Sequence, residues 1–286
     1  MVGAVMGGAT IAVLGAIAGG TIFLGLPVGR VRSLAPGGRA FLNAVAIGVL
    51  LFVLWDVAAA AMEAVESALT AAVDGSAGWA SFVELAVIAV LGVVAGFIGL
   101  IAYQGWVARR GALRHGPGAA AAGELAGPRR AVATTPAGRL ALLIAVGIGL
   151  HNFAEGLAIG QSAAAGELSL AVLLVIGFAL HNATEGFGIV APFAAESTRP
   201  GWGFLALLGL IGGGPTFVGT LLGQVVVNEG LSVLFLTLAA GSILFVVLQL
   251  LRVADRAGRA ALVGWGVLTG LFLGVATDLV LVAAGA

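Results

Sequence analysis

The sequence predicts an all-α integral membrane protein with eight transmembrane helices, and two observations carry this prediction. Of the 286 residues, 60% are hydrophobic and only 9% are charged, whereas soluble domains carry about 25% charged residues. The apolar residues form runs of about 20, the length that crosses a bilayer as a helix, without the alternation of a membrane β-barrel strand. We therefore expect one multi-pass domain over residues 1–286, in the cell (inner or plasma) membrane.

Eight apolar runs define the order of the spans. They cover residues 4–29, 41–62, 82–107, 138–160, 168–194, 202–226, 231–251 and 260–282. The first run begins almost at Met1 and is longer than the core of a signal peptide, so we interpret it as a span. The longest connection, at about 108–137, is rich in Gly, Ala, Pro and Arg and contains His115. We expect little fixed structure there.

The basic residues indicate the orientation. With eight spans, all thirteen basic residues fall on one side of the membrane, and all are arginines: positions 30, 32, 39, 109, 110, 114, 129, 130, 139, 199, 252, 256 and 259. Because basic residues accumulate on the cytoplasmic side, we expect both termini outside and the 108–137 loop in the cytoplasm. The outer connections hold acids: Glu63, Glu66, Asp74, Glu84, Glu167 and Glu229. These acids either concentrate cations at the outer surface or are simply tolerated there.

One six-residue pattern occurs twice and identifies the candidate site. The fourth span contains HNFAEG at 151–156 and the fifth contains HNATEG at 181–186, and these hold two of the three histidines. On a helix, each pattern stacks its His and Glu one turn apart, with the Asn beside the His. Imidazole nitrogen and carboxylate and amide oxygens bind divalent transition metals. The candidate ligands are His151, Asn152, Glu155, His181, Asn182 and Glu185.

The depth of the two patterns predicts an inverted repeat. Measured from Arg139 and Glu167, near which the two spans enter the membrane, both histidines lie near mid-bilayer. The spans are antiparallel, so an approximate two-fold axis in the membrane plane relates the patterns. Three spans precede the pair and three follow it, which favours a 3+2+3 inverted-repeat arrangement with the substrate site at the midplane.

Simpler interpretations remain open for these residues. An intramembrane His or Asn can serve only as a hydrogen-bonding link between helices. An intramembrane carboxylate, however, is either protonated or needs a cationic partner, and no Arg or Lys lies beside the two patterns. A bound divalent cation would supply that charge. Asp278 and Asp56 either line the path by which an ion enters or snorkel to the interface, and Gln249 either faces the site or links helices.

Several function classes are excluded or lack support. The chain has no cysteine, which excludes thiolate ligands, disulfides and Cys-based catalysis. It has neither the H-E-x-x-H of an intramembrane zinc protease nor a phosphate-cradling G-x-x-x-x-G-K-[ST] loop, so ATP-driven transport on this chain is excluded. The formal net charge of zero suggests no nucleic-acid partner.

The doubled H-N-x-x-E-G on the fourth and fifth of eight spans resembles the ZIP family of divalent metal transporters. The outward termini and the cytoplasmic loop between the third and fourth spans are also similar to that family. The resemblance implies zinc, iron or a similar cation as substrate, metal ligation by the fourth and fifth helices, alternating access and a homodimer. It also implies that Asp278, in Ala276-Thr277-Asp278, corresponds to an acid near the outer mouth.

The chain departs from the family pattern at several places, and two of these departures bear on ligand geometry and on a second metal. Ala154 and Thr184 stand where the family usually has a proline before the Glu; a proline would kink the helix and free a carbonyl. Gln249 stands where many members have a Glu in the seventh span that helps to hold a second metal.

These observations lead to two function hypotheses. The first is an uptake transporter, not an enzyme, that moves a divalent transition-metal cation (Zn²⁺ or Fe²⁺) as substrate, with no resident cofactor. The second is a metal-dependent intramembrane enzyme that uses the His/Glu site to activate water. A packing or regulatory membrane protein without a bound ion is a third alternative. The ligand types alone do not choose among Zn, Fe, Mn, Co, Ni and Cd.

Overall fold

In the computed structural model, the chain forms a bundle of helices. The structure describes residues 7–31, 35–112, 132–133, 135–164, 168–195, 199–225, 228–256 and 258–284, and for some helical residues, including His181, it describes the backbone alone. The helices are α1 (Gly8–Gly20), α2 (Ile22–Gly25), α3 (Pro36–Val73), α4 (Trp79–Ala112), α5 (Pro136–Ala164), α6 (Leu168–Val190), α7 (Trp202–Gly223), α8 (Glu229–Asp255) and α9 (Ala260–Ala284). Leu26–Arg30 and Ala191–Ala195 are 3₁₀ turns that follow α2 and α6.

Most of these helices are long and apolar enough to cross a membrane. Seven such segments are found among the described residues, and the first of them, Gly8–Arg30, combines α1, α2 and the 3₁₀ turn that follows. In addition, α6 has 23 residues, which is enough to cross the hydrocarbon core. The described residues contain no β-strand. The prediction of an all-α, multi-pass membrane protein is therefore confirmed.

The second span is longer than its apolar run predicts. Helix α3 has 38 residues, or about 57 Å at 1.5 Å per residue, and it extends well beyond the run at 41–62. The additional turns are rich in Ala and also contain Glu and Leu, which favour helix. The helix ends at Val73, and its C-cap Asp74 is followed by Gly75, whose φ of 74° suits glycine. Glu63 and Glu66 therefore lie on a helix and not in a connection.

The predicted loop at 108–137 is also shorter than expected. Helix α4 continues to Ala112 and α5 begins at Pro136, and residues 132–133 are helical. The proline suits the first turn of a helix, where its missing N–H removes no bond. Residues 113–131, with His115, lie outside the described part of the chain, so the expectation of little fixed structure there is not tested.

Helix α5 is the centre of the bundle. In its most apolar window 72% of the residues are buried, against 22% in α4 and 17% in α9. Its neighbours include α7, α8 and α6. Helices α4 and α9 pack mainly on α8 and α3, and their remaining faces carry exposed apolar side chains, including Leu91, Ile98, Phe272 and Leu279. The motif on α5 therefore lies in the interior of the protein.

Glycines allow α5, α7 and α1 to approach closely. A Cβ on Gly149 would overlap the carbonyl oxygen of Ile211, and one on Gly160 would overlap that of Thr220. Residue numbers rise together along α5 and α7, so these two helices are parallel. Small residues permit such backbone approach between membrane helices.

The first span and α7 cross antiparallel and share an interruption near the crossing. A Cβ on Gly19 would overlap the carbonyl oxygen of Gly213, and one on Gly213 would overlap that of Gly19. Just after Gly19, α1 ends at Thr21, whose hydroxyl donates to the carbonyl oxygen of Ala18 at 2.6 Å. Just after Gly213, α7 contains Pro215, which cannot donate to the preceding turn.

Candidate metal-binding site

Three ionisable side chains meet between α5 and α6. Nε2 of His151 lies 2.9 Å from a carboxylate oxygen of Glu155, one turn along α5, and 3.9 Å from a carboxylate oxygen of Glu185 on α6. The side chains of His151, Glu155 and Glu185 are 3%, 4% and 0% exposed. The two copies of the motif are thus adjacent in space, as the helical spacing and the pairing of the two spans predict.

The two asparagines are held by backbone carbonyl groups of other helices. Nδ2 of Asn152 donates to the carbonyl oxygen of Gly212 at 2.9 Å, and Nδ2 of Asn182 donates to that of Ala18 at 3.2 Å. Because a carbonyl can only accept, these bonds fix which end of each amide is the nitrogen. The oxygen of each amide then points away from its carbonyl partner.

The amide oxygens of the two motif asparagines are buried without a hydrogen-bond donor. Both side chains are 0% exposed, and neither Asn152 Oδ1 nor Asn182 Oδ1 has a hydrogen-bond partner. A buried acceptor without a donor costs about 1–3 kcal/mol, so each such atom calls for an explanation. A metal ion or a bound water would satisfy both oxygens.

The glycines that end each motif bring the helices together. A Cβ on Gly156 would overlap the carbonyl oxygen of Thr216 on α7, and one on Gly186 would overlap that of Ile22 on α2. Both glycines are therefore sites of close helix contact. Helix α5 also continues without interruption through Ala154, where the ZIP pattern has a proline.

The described side chains alone do not form a complete metal site. Among them, no group of three or more His, Cys, Asp or Glu is arranged to hold a metal ion. Nε2 of His151 lies 2.9 Å from Glu155, so this imidazole nitrogen faces a carboxylate instead of an open position. The prediction for His181 lies outside the described side chains, although its backbone is in α6. A group of His, Cys, Asp and Glu does not count asparagine, whose amide oxygens complete the predicted ligand set.

Gln249 links two helices. It lies on α8, where its amide nitrogen, Nε2, donates to Oε1 of Gln104 on α4 at 3.3 Å. Two turns earlier, Ser242 packs against Gly96 of α4. This bond agrees with the helix-linking alternative for Gln249, and the alternative that it faces the site stays a prediction.

Asp56 and Asp278 occupy matching levels of neighbouring helices. Along α3 and α9, Gly48 contacts Gly270 and Phe52 contacts Gly274, and the next turn of each helix carries Asp56 and Asp278. Asp56 is exposed and Asp278 is half-buried. The structure thus brings the two acids to one level of neighbouring helices, and their role in the path of an ion stays a prediction.

One feature of the site was not predicted from the sequence. The carbonyl groups of Gly212 and Ala18 position the asparagines, and a backbone acceptor has no signature in the sequence. Thr216, which follows the Gly212-Gly213-Gly214-Pro215 run on α7, is fully buried and its hydroxyl has no hydrogen-bond partner.

Comparison with known proteins adds no assignment. No protein-family model matches the chain, and no curated protein matches it in sequence. What the geometry establishes is a buried cluster of one imidazole and two carboxylates, flanked by two amide oxygens, at the centre of an all-helical membrane protein.

Proposed function

We propose that the protein is a ZIP-type uptake transporter for divalent transition-metal cations, with Zn²⁺ or Fe²⁺ as substrate. The observation that carries this proposal is the buried approach of His151, Glu155 and Glu185 between two central helices. Ionisable groups inside a membrane are costly and usually mark the path of an ion or a proton.

The charge of the cluster favours a cation as its ligand. With a neutral imidazole and two ionised carboxylates, the cluster has a formal charge of −2, which a divalent ion would balance. Between Arg139 and Arg199 the sequence contains no Arg or Lys. A metal ion would therefore be the counter-charge, with nitrogen from His151, carboxylate from Glu155 and Glu185, and the two free amide oxygens as neutral ligands. We include His181 in this set on its sequence position.

Matching contacts around the site support an inverted repeat. The bonds and close approaches of α5 on α7 have counterparts, in the same order, in those of α6 on the first span. The matched pairs are Asn152–Gly212 and Asn182–Ala18, Gly156–Thr216 and Gly186–Ile22, and Phe153–Gly219 and Ala183–Gly25. The reciprocal crossing of Gly19 and Gly213 would then lie on the axis that exchanges the two halves.

The outer helices follow the same correspondence. In this correspondence α3 matches α8, and α9 matches α4. The matched pairs are Gly48–Val267 and Gly241–Val93, and Val45–Gly270 and Leu238–Gly96. Such repeats let a transporter expose one central site to either side by rocking one part against the other. The 3+2+3 arrangement and alternating access are therefore part of the proposal.

The direction of transport follows from the arginines. The described ones lie at or near helix ends, for example Arg39 at the start of α3, Arg139 at the start of α5 and Arg252 at the end of α8. With alternating crossings these ends share one side, which we assign to the cytoplasm. Metal would enter from the side that carries Glu63 and Glu66.

Flux into proteoliposomes tests the proposal. We expect saturable uptake of ⁶⁵Zn²⁺ or ⁵⁵Fe²⁺ by the wild type and background uptake by Glu155→Gln/Glu185→Gln, because the variant loses both charges that balance the ion. The matched control is Glu63→Gln/Glu66→Gln, which removes two exposed glutamates of α3 and should retain at least half of the wild-type rate.

Two outcomes would contradict the proposal. Metal that binds but is never transported would favour an enzyme that uses the same ligands. Equal flux in the wild type and in Glu155→Gln/Glu185→Gln would exclude the cluster as the path of the ion.

A further inference from the structure

A second polar site lies away from the His/Glu cluster, at the arginine-rich ends of the helices. The 3₁₀ turn Leu26–Arg30, the first turns of α3 and the end of α6 surround an open cavity with about 40 Å³ of space for the centres of water-sized molecules. Its polar lining consists of the side chains of Arg39, Asn43 and Arg199, and its apolar lining includes Phe187 and Val190. None of the described residues that line it is acidic.

Asn43 is the observation that points to a ligand. Its side chain is 5% exposed, and neither its amide nitrogen nor its amide oxygen has a hydrogen-bond partner. A buried amide with no partner at either end is costly, and here it lines a cavity instead of lying in packed protein. A bound polar group in the cavity would satisfy it.

Helix packing does not require a polar residue at this position. Val45 and Leu238 make matching contacts with Gly270 and Gly96, so Asn43, two residues before Val45, corresponds to Leu236. Leu236 packs against the hydrophobic core. The matching position in the other half of the molecule thus holds an ordinary apolar side chain, so the polar Asn43 has no counterpart there.

The cavity is electropositive for three reasons. Arg39 lies one turn before Asn43 on α3, so both share a face, and both line the cavity. Arg199 enters from the segment before α7, where one of its nitrogens donates to the carbonyl oxygen of Phe193 at 3.5 Å, and its side chain also lines the cavity. Helix α3 also begins at Pro36 without a side-chain cap, so the positive end of its dipole lies at this end of the protein.

The segment that carries Arg199 is held in place. Arg30 donates to the carbonyl oxygen of Pro200, and its guanidinium lies 4.9 Å from the centre of the Trp202 ring. These contacts tie residues 200–202 to the 3₁₀ turn that forms one wall of the cavity. Arg39, on α3, and Arg199, in this anchored segment, therefore both project from backbone that is held in place.

We propose that this cavity binds a phosphate-type oxyanion, carried either by the head group of an anionic phospholipid or by free phosphate. Arg39 and Arg199 would supply charge and N–H donors, and Asn43 would donate from Nδ2 and accept from a protonated phosphate oxygen through Oδ1. Guanidinium groups match the oxygens of phosphate in geometry as well as in charge. The proposal does not depend on metal transport, because it uses no residue of the His/Glu cluster.

Lipid retention and thermal shift test the proposal on the full-length protein. Native mass spectrometry would compare retention of phosphatidylglycerol with that of phosphatidylcholine, and delipidated protein would be melted with and without inorganic phosphate. We expect the wild type to retain one phosphatidylglycerol selectively. Arg39→Gln/Arg199→Gln should weaken this retention by about 30-fold, the loss expected for two arginines at a membrane surface. The control Arg252→Gln, an exposed arginine at the end of α8, should behave as wild type.

The two sources of phosphate give different results. Selective lipid retention without a phosphate-dependent rise in Tm assigns a lipid head group, whereas a rise in Tm without lipid retention assigns free phosphate. Asn43→Leu should weaken either form of binding while keeping a Tm at least as high as that of the ligand-free wild type, which separates loss of binding from misfolding. Binding that is unchanged in both Arg39→Gln/Arg199→Gln and Asn43→Leu, or absent from the wild type, would overturn the proposal.

Discussion

Replacing Asn152 with leucine should make the metal-free protein more stable but should weaken metal binding and the stabilisation that metal gives. The substitution removes the bond from Nδ2 to the carbonyl oxygen of Gly212, and such interhelical bonds contribute about 0.6 kcal/mol in membranes. It also removes a fully buried amide oxygen without a partner, which relieves a cost of about 1–3 kcal/mol. Leucine is similar in size, so the net gain is about 1 kcal/mol, or a rise in Tm of about 2–4 °C.

Metal should reverse this order. At a metal concentration of about 100 times Kd, binding stabilises the wild type by about 2.7 kcal/mol. If the Asn152 oxygen is a ligand, the leucine variant loses affinity by at least 10-fold, and about half of that stabilisation or more disappears. Intrinsic fluorescence of the five tryptophans during thermal unfolding in detergent, with and without Zn²⁺, measures both effects in one experiment.

Asn43→Leu is the matched control for this experiment. It also removes a buried, unpartnered asparagine, but one that lines the arginine-rich cavity and is not part of the His/Glu cluster. It should therefore raise the metal-free Tm and keep the full metal-dependent shift. If Asn152→Leu is less stable than wild type without metal and shifts as much as wild type with it, the reasoning about the amide oxygen is refuted.

Three further predictions concern packing, pH and the second metal. Gly19→Ala should destabilise the protein by about 1–3 kcal/mol, because its Cβ would overlap a backbone carbonyl of α7, whereas Gly20→Ala, which meets nothing within 4 Å, should be neutral or slightly stabilising in the same melts. Equal Tm values for the two would contradict a close crossing. Metal affinity, measured by titration, should fall as the pH is lowered from about 7 to about 5, because imidazole must be neutral and carboxylates ionised to bind; a flat profile would argue against these ligands. Gln249→Glu should leave the number of bound metals unchanged in elemental analysis, because residue 249 faces Gln104 on α4. An additional equivalent of metal in this variant would show that residue 249 reaches the site.

The span pattern was predictable because hydropathy and helix length act locally. Each predicted span coincides with a helix or, for the first, with a helix followed by turns. The errors are at the ends. Helix α3 continues past its apolar run because alanine-rich sequence stays helical until Gly75, and α4 continues to Ala112 for the same local reason. Where a helix ends depends on capping and backbone propensity, which hydropathy does not measure.

The candidate site was predictable in part. The doubled motif and the antiparallel order of the two spans predicted that His151, Glu155 and Glu185 approach one another. The placement of Gln249 was not predictable, because one residue on a helix points to one of several neighbours and the sequence does not say which. The helix face that packs on α4 decides it.

The sequence by itself determined that the chain crosses a membrane as helices and that two of its three histidines, each with a glutamate one turn later, lie in two adjacent spans. Both follow from transfer free energies and helical periodicity, which need only local sequence. The tertiary structure decided that backbone carbonyls of Gly212 and Ala18 orient the two motif asparagines, that Gly19 and Gly213 cross, and that Asn43 lines a cavity with Arg39 and Arg199. These features depend on which helix faces meet, and that choice is made by close packing among many small residues distributed over the whole chain.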